Sequence, residues 1–524
     1  MKKRLSFLCL ILALILTAGL FTACGDSADT TPPEEEGPPP LVITKSFSII
    51  RPAEPNETET DMAKAIQDAL YDIDVNVFIK KDSAEVKDEV RHEIIVGNTS
   101  RTESTDALAS LQRNEYTLRV SGSEETGYRI MVAGNGEKAL AAACRYFIDT
   151  YLSSEEKNAL PTTLSYSAKL DFPCENVKVM NKFIGDYTIV YAKEGVTSPV
   201  DPNYKTFIQT AKYKDVAEAL ADAIENATGI KPAIQPDSEP LPEGKPVILL
   251  GKTDHAADDS YYTKGFAEAG SYTAALSGDG TVILAGDNAC AAYAAGEELI
   301  RALTDAKTNL TSLNKSGVKK LIKVACVGDS ITHGTTSSDE SAYNYPVYLQ
   351  RMLGYDYYVE KYGAPGFSMT STDTFSYMSY GAMYQGSINA KPDVVIIMLG
   401  TNDCNPFDDY KDWTNPQRAN TFKMSAVTMI NAYMRANPEV QIYMMTPPTV
   451  PQNADWANNV KTYAVPLVTE VAESKGCHLI DIYSWSLKNT KVFAGDGLHP
   501  KNGTYENLAK AVYDGLKDTI QKPE

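Results

Sequence analysis

The segment Leu321-Ile322-Lys323-Val324-Ala325-Cys326-Val327-Gly328-Asp329-Ser330-Ile331-Thr332 decides how the last third of this chain is read. It is an apolar run with a single lysine, closed by a glycine. A short run of this kind, bounded by a turn signal, reads as a buried strand. Ser330 follows almost at once, beyond the carboxyl end of that strand. Functional groups of open α/β sheets gather there. The pattern recurs downstream. Residues 393–399 form a second buried run, apolar after Asp393, and lead into Gly400-Thr401-Asn402-Asp403, residues 440–445 lead into Thr446-Pro447-Pro448, and residues 479–482 form a fourth run. Helical periodicity fills the intervals at 346–353, 420–436 and 460–475, and a closing helix is predicted over 505–520. Alternating strands and helices predict a three-layer α/β/α domain with a parallel sheet over residues 320–524.

A serine hydroxyl needs an adjacent base to attack at neutral pH. The domain holds three histidines, His333, His478 and His499. His499 lies in Asp496-Gly497-Leu498-His499-Pro500, ahead of the closing helix. Its spacing from Asp496 lets the carboxylate fold back onto one ring nitrogen while the other faces Ser330. His333, three residues after the serine, is the rival base at the rim of the site. His478, at the start of a strand, reads as structural.

Taken in order, the Gly328–Thr332 word, Gly366, the Gly400–Asp403 word and the Asp496–Pro500 word resemble the SGNH hydrolases, or GDSL-type esterases. The resemblance runs from Leu321 to the C-terminus. It implies a catalytic set of Ser330, His499 and Asp496. The oxyanion donors would be the backbone amides of Ser330 and Gly366 and the side-chain amide of Asn402, with no metal and no cofactor. Lys361 stands where the family often has Asn. Asp329 and Asp403 read as loop-bracing carboxylates, and Thr401 as a residue bonded within its own turn. Gly366-Phe367-Ser368 lacks the last glycine of the G-x-S-x-G elbow, and no zinc-protease, P-loop or dinucleotide word is present. The words are most similar to those of carbohydrate-deacetylating members, so an acylated polysaccharide or oligosaccharide is the expected substrate. Two alternatives stand beside this: a lysophospholipase or thioesterase on the same fold, and a glycan-binding lipoprotein with an inactive hydrolase domain.

The chain has 524 residues and a formal net charge of −19. Its length calls for two to four domains, and its charge argues against nucleic acid as a partner. Lys2, Lys3 and Arg4 precede an apolar run ending at Phe21, and Phe21-Thr22-Ala23-Cys24 resembles a bacterial lipobox. The resemblance implies a signal peptide over 1–23 and a lipid on Cys24. The chain would then be anchored on the extracellular face of a bacterial cell membrane. Residues 24–40, with Pro, Thr and three consecutive glutamates, read as a tether. The six remaining cysteines outside the signal are scattered without zinc spacing.

Between tether and hydrolase the chain echoes itself. Glu93-Ile94-Ile95-Val96-Gly97-Asn98-Thr99 returns as Val247-Ile248-Leu249-Leu250-Gly251-Lys252-Thr253. Ile130-Met131-Val132-Ala133-Gly134-Asn135 returns as Val282-Ile283-Leu284-Ala285-Gly286-Asp287. Two copies of one module are expected, over 41–170 and 182–305, each a small α+β sandwich with helices on one face. Their words resemble small non-catalytic domains of some glycoside hydrolases. His92 and His255 occupy unmatched positions and read as surface residues. On this reading, removal of residues 41–304 leaves an active hydrolase.

Overall fold

The computed structural model describes residues 39–82, 91–153, 158–193 and 209–523, except 256, 258, 264, 409 and 410. Residues 1–23, read above as a signal peptide, and Cys24 lie outside the described residues.

The hydrolase sheet contains β1 (Ile322–Gly328), β2 (Tyr357–Gly363), β3 (Val394–Met398), β4 (Gln441–Met445) and β5 (His478–Ile480). All are parallel, in the order β2-β1-β3-β4-β5. Successive side chains on a strand point to opposite faces, and the cores divide accordingly. Ala325, Val327, Val395, Ile397, Ile442 and Met444 pack under the helices Pro416–Ala436 and Val465–Lys475. Val324, Cys326, Ile396, Met398, Tyr443 and Met445 pack under Tyr345–Leu353 and Tyr505–Leu516. This is the three-layer arrangement expected from the alternating pattern.

Three elements differ from the periodicity reading. The fourth apolar run ends as a strand at Ile480, and Ile482–Lys488 is a helix capped by Asp481. The helix read from 460 begins at Ala454 and passes through a π turn at Val460–Ala464. Strand β2 gives no apolar run, because Glu360 and Lys361 interrupt it. Lys361 is nonetheless fully buried. Its ammonium donates to the carbonyls of His333 and Glu340, and burial pulls its pKa down to about 7.

The first module holds a six-stranded sheet in the order Phe78–Lys81, Phe47–Arg51, His92–Val96, Gly127–Gly134, Glu115–Ser123, Ser165–Lys169. The second holds Ala233–Pro236, Thr188–Tyr191, Val247–Leu250, Val282–Gly286, Ser271–Leu276 and Asn314–Val318. The two share one strand order and one pattern of parallel and antiparallel pairs. Helices do not keep to one face. In the first module Glu57–Tyr71 and Glu137–Tyr151 cover one side, and Thr102–Ser110 lays Ala107 against Ile95, Met131 and Ala133 on the other. The reason is that Ile94 and Ile95, successive in one strand, are both buried, so each face needs a cover. His92 is also not a simple surface residue. It is half-buried between Phe47 and Tyr128, at centroid distances of 5.0 and 5.8 Å, and its Nδ1 accepts from the Tyr128 amide. His255 is half-buried too.

The second module docks on the outer edge of β2. Thr210 Oγ1 donates to the Val359 carbonyl at 2.7 Å, and Gln209 bridges to Glu360. Arg351 pairs with Asp215 at 2.8 Å, and Tyr293 packs on Tyr355 at 4.6 Å. An exposed edge strand invites pairing with other chains; here the neighbouring module occupies it. The six cysteines among the described residues are free thiols, five of them buried.

Candidate active site

Ser330 opens a single helical turn, Ser330–His333, just past the end of β1. Asp329 caps that turn, its Oδ1 accepting the Ile331 amide at 2.9 Å. The serine is buried but for 7% of its surface. Its hydroxyl meets His499 Nε2 at 2.8 Å, and His499 Nδ1 meets Asp496 Oδ2 at 2.7 Å. The other Asp496 oxygen accepts the amides of Leu498 and His499, at 2.9 and 3.1 Å. One carboxylate therefore orients the ring and folds the loop that carries it. Burial acts to raise the Asp496 pKa, but the ring and the two amides outweigh it and hold the carboxyl below its ordinary range.

The histidine loop is pinned on two sides. Thr336 Oγ1 donates to the Pro500 carbonyl at 2.6 Å, and Tyr505 Oη donates to the Thr335 carbonyl at 2.6 Å. On the other side Gly497 (φ +64°) rests on Gln452, where a Cβ would come within 2.4 Å of the glutamine Cβ. Only glycine combines that close approach with a left-handed backbone.

Gly366 lies beyond the end of β2, with φ +82° and open space where a Cβ would stand. Strands β1 and β2 run in register from Ile322–Tyr357 to Gly328–Gly363. The turn carrying Gly366 therefore lies beside the turn carrying Ser330. Asn402 comes from the end of β3, which pairs with β1 on its other side. Its side-chain amide donates to the Phe367 carbonyl at 3.0 Å, tying the Asn402 and Gly366 turns together. Three adjacent strand ends thus hold the three expected donors, and the hydroxyl–imidazole–carboxylate chain stands beside them.

His333 is placed differently. Its ring faces Glu340, with Nδ1 at 3.4 Å from the carboxylate. Burial, followed by the nearby Lys361 cation, pushes its pKa down to about 4. Such a weak base suits proton abstraction at neutral pH poorly. His478, on β5, stacks on Tyr443 of β4 at a centroid distance of 4.6 Å.

Asp403 is the brace its position suggested. It is fully buried and accepts the amides of Met369 and Thr370 and the Thr370 hydroxyl, at 2.8, 2.9 and 2.6 Å. The Thr401 hydroxyl has no hydrogen-bond partner among the described residues, contrary to the turn-bonding role expected of it. Its carbonyl is what matters, accepting from Trp456 Nε1 at 2.7 Å.

The sequence reading missed the outer support. Lys411 Nζ donates to the Asn402 carbonyl at 2.7 Å. Arg418 makes a bidentate pair with Asp373, at 2.9 and 3.0 Å, and also donates to the Asp403 carbonyl. All three side chains are buried. Buried charges persist where they are paired and hydrogen-bonded; these fix the backbone on which Asn402 stands. The signal available in sequence was slight: cations at 411 and 418 soon after the Asn402 word, with no periodic pattern to mark them.

Burial drives the Asp329 carboxyl up to about 6. Its raised folded-state value means the carboxyl favours folding while protonated, and that advantage is lost as pH rises through about 6. One Asp329 oxygen has no hydrogen-bond partner among the described residues, so an amide nitrogen there breaks no existing bond. Asp329→Asn keeps the cap on Ile331. It is expected to abolish a loss of stability of about 3 kcal/mol between pH 4 and pH 7. Thermal unfolding of the two proteins across that range checks this: parallel curves would refute it.

Residues 326–506 match the family model described as the GDSL-like lipase/acylhydrolase family. An acetylxylan esterase of Xylanibacter ruminicola is 29% identical over 215 residues, covering 37% of this chain and 43% of that protein. The chain therefore spans less than half the length of this curated relative. Among solved structures, a catalytic mutant of an acetylxylan esterase from Geobacillus stearothermophilus aligns at 19% identity and TM-score 0.30, over 37% of this chain and 93% of the other. A lipase/acylhydrolase from Enterococcus faecalis aligns at 24% identity and TM-score 0.30, over 39% of this chain and 99% of the other.

Proposed function

We propose, from a GDSL-type acylhydrolase domain at residues 326–506, that the chain is a serine esterase releasing acetyl groups from carbohydrate. The observation that carries the reading is the Ser330–His499 contact of 2.8 Å, continued to Asp496 at 2.7 Å. With Nδ1–H donated to Asp496, Nε2 is free to accept the serine proton as Oγ attacks the ester carbonyl. Charge develops on the carbonyl oxygen, and the Ser330, Gly366 and Asn402 amides are its donors. His499 then protonates the departing alcohol. In the second half it draws a proton from water, which cleaves the acyl-serine and releases acetate.

The acetyl and sugar assignments rest on the likeness to an acetylxylan esterase and on the short words around the serine and histidine. The cell-surface location rests on the leader and on Cys24. The chain begun after Cys24 is the protein to assay, on acetylated xylan and on ethyl acetate, with Ser330→Ala beside it. Serine-dependent acetate from both esters supports the reading. Acetate from ethyl acetate alone removes the carbohydrate, and none from either removes the esterase.

A further inference from the structure

The loops after β3 and β4 set an aromatic pair at the carboxyl edge of the sheet. Phe407 stands five positions beyond Asn402 and is 73% exposed. Its ring meets Trp456 edge-on, with centroids 6.4 Å apart and planes at 83°. Trp456 is rigidly held. Its Nε1 bonds the Thr401 carbonyl at 2.7 Å, and it packs against the buried cluster of Cys404, Val450, Val460 and Ala464. The pair is thus tied to the residue preceding Asn402, and Leu498, the residue preceding His499, packs against the same cluster. Aromatic side chains left on the surface next to convergent polar groups suit ligand contact.

The reaction geometry says which part of the ester lies there. His499 Nε2 returns its proton to the leaving oxygen, so the alcohol departs on the histidine side of the tetrahedral carbon and the acyl group lies away from it. Leu498 adjoins His499 and packs against the same buried cluster as Trp456, and Gly497 rests on Gln452, four positions before Trp456. The pair is therefore on the alcohol side. Phe367, with Tyr380 stacked on it at 5.0 Å, flanks the opposite turn next to Gly366.

We propose that Phe407 and Trp456 form the subsite for the alcohol moiety and that this moiety is a pyranose ring. This rests on the esterase reading above. A pyranose offers an apolar C–H face and a rim of hydroxyls. An open aromatic face suits the first. The Asn405 and Asp408 side chains, bonded to each other at 3.1 Å in the same loop, supply polar groups for the second. An alkyl chain would call for an enclosed apolar channel, whereas the Phe407 ring is open to water.

The test uses Phe407→Ala and Phe407→Tyr in the chain begun after Cys24, with acetylated xylo-oligosaccharide, ethyl acetate and ethyl butyrate as substrates. Phe407→Ala is expected to raise KM for the oligosaccharide about tenfold, the worth of one aromatic contact, with little change in kcat. The preference for oligosaccharide over ethyl acetate, as a ratio of kcat/KM, should fall by the same factor. Phe407→Tyr should restore it, and the Tm of both variants should match the parent. An unchanged preference overturns the proposal. So does an equal loss on all three esters, which would mean a structural role. A shift confined to the butyrate-to-acetate ratio overturns it too, by placing the ring in the acyl site. A parent enzyme that cleaves ethyl acetate but not the oligosaccharide removes the pyranose and leaves the esterase standing. A parent that cleaves neither removes both.

Discussion

Ser330→Ala is expected to lower kcat on ethyl acetate by four or more powers of ten while leaving the Tm within about 1 °C. The hydroxyl makes one contact of consequence, to His499, and no core packing depends on it. His499→Ala should be as severe, because without a base the hydroxyl keeps its proton. The two losses should not add, since serine and histidine act as one unit. His333 provides the control. Its pKa of about 4 and its place against Glu340 leave it without a base's role, so His333→Gln should retain turnover within about tenfold. If His499→Ala keeps its activity while His333→Gln loses it, the base has been misassigned.

Deletion of residues 41–304 is expected to lower the Tm of the remaining hydrolase by about 10 °C or more, or to make it aggregate. Sequence suggested three separable units, and the docking on β2 changes that expectation for the second. Without its neighbour, β2 loses the Thr210 hydroxyl on the Val359 carbonyl and the Gln209 bridge to Glu360. Arg351 loses Asp215, and Tyr355 loses the cover of Tyr293. The freed edge is then open to strands from other molecules. Deletion of residues 41–170 is a milder cut. The first module meets the second through a few contacts, such as Asn114 to the Thr228 carbonyl and Arg113 over Phe183. This shorter deletion should keep activity and most of the stability. Calorimetry of both truncated chains, with ethyl acetate as the activity probe, checks the contrast. Equal stability of the hydrolase alone and the parent would show that the docking contributes nothing.

Local words carried most of what could be read in advance, because each is a self-sufficient turn. Asp496 and His499 are three residues apart, and the same carboxylate that orients the ring folds their loop. The Gly400–Asp403 word ends in a carboxylate that ties down its neighbouring loop. Four strands of the hydrolase were legible from apolar runs. The fifth, β2, was hidden because a buried lysine finds its partners in two carbonyls, His333 and Glu340, that no pattern along the strand announces.

Sequence alone therefore determined the fold class of the last third, the serine, and the histidine–carboxylate word. Each depends on periodicity or on residues within one turn. Tertiary structure decided the rest. The contact that sets His499, and not His333, against the Ser330 hydroxyl spans 169 positions, and sheet order creates it. Lys411 supports Asn402 through a hydrogen bond to its carbonyl and Arg418 through its buried pair with Asp373 and its bond to the Asp403 carbonyl, and the second module seals β2 through side chains drawn from distant parts of the chain. Such contacts leave no period and no spacing in the sequence, because they join residues that only the packed layers bring together.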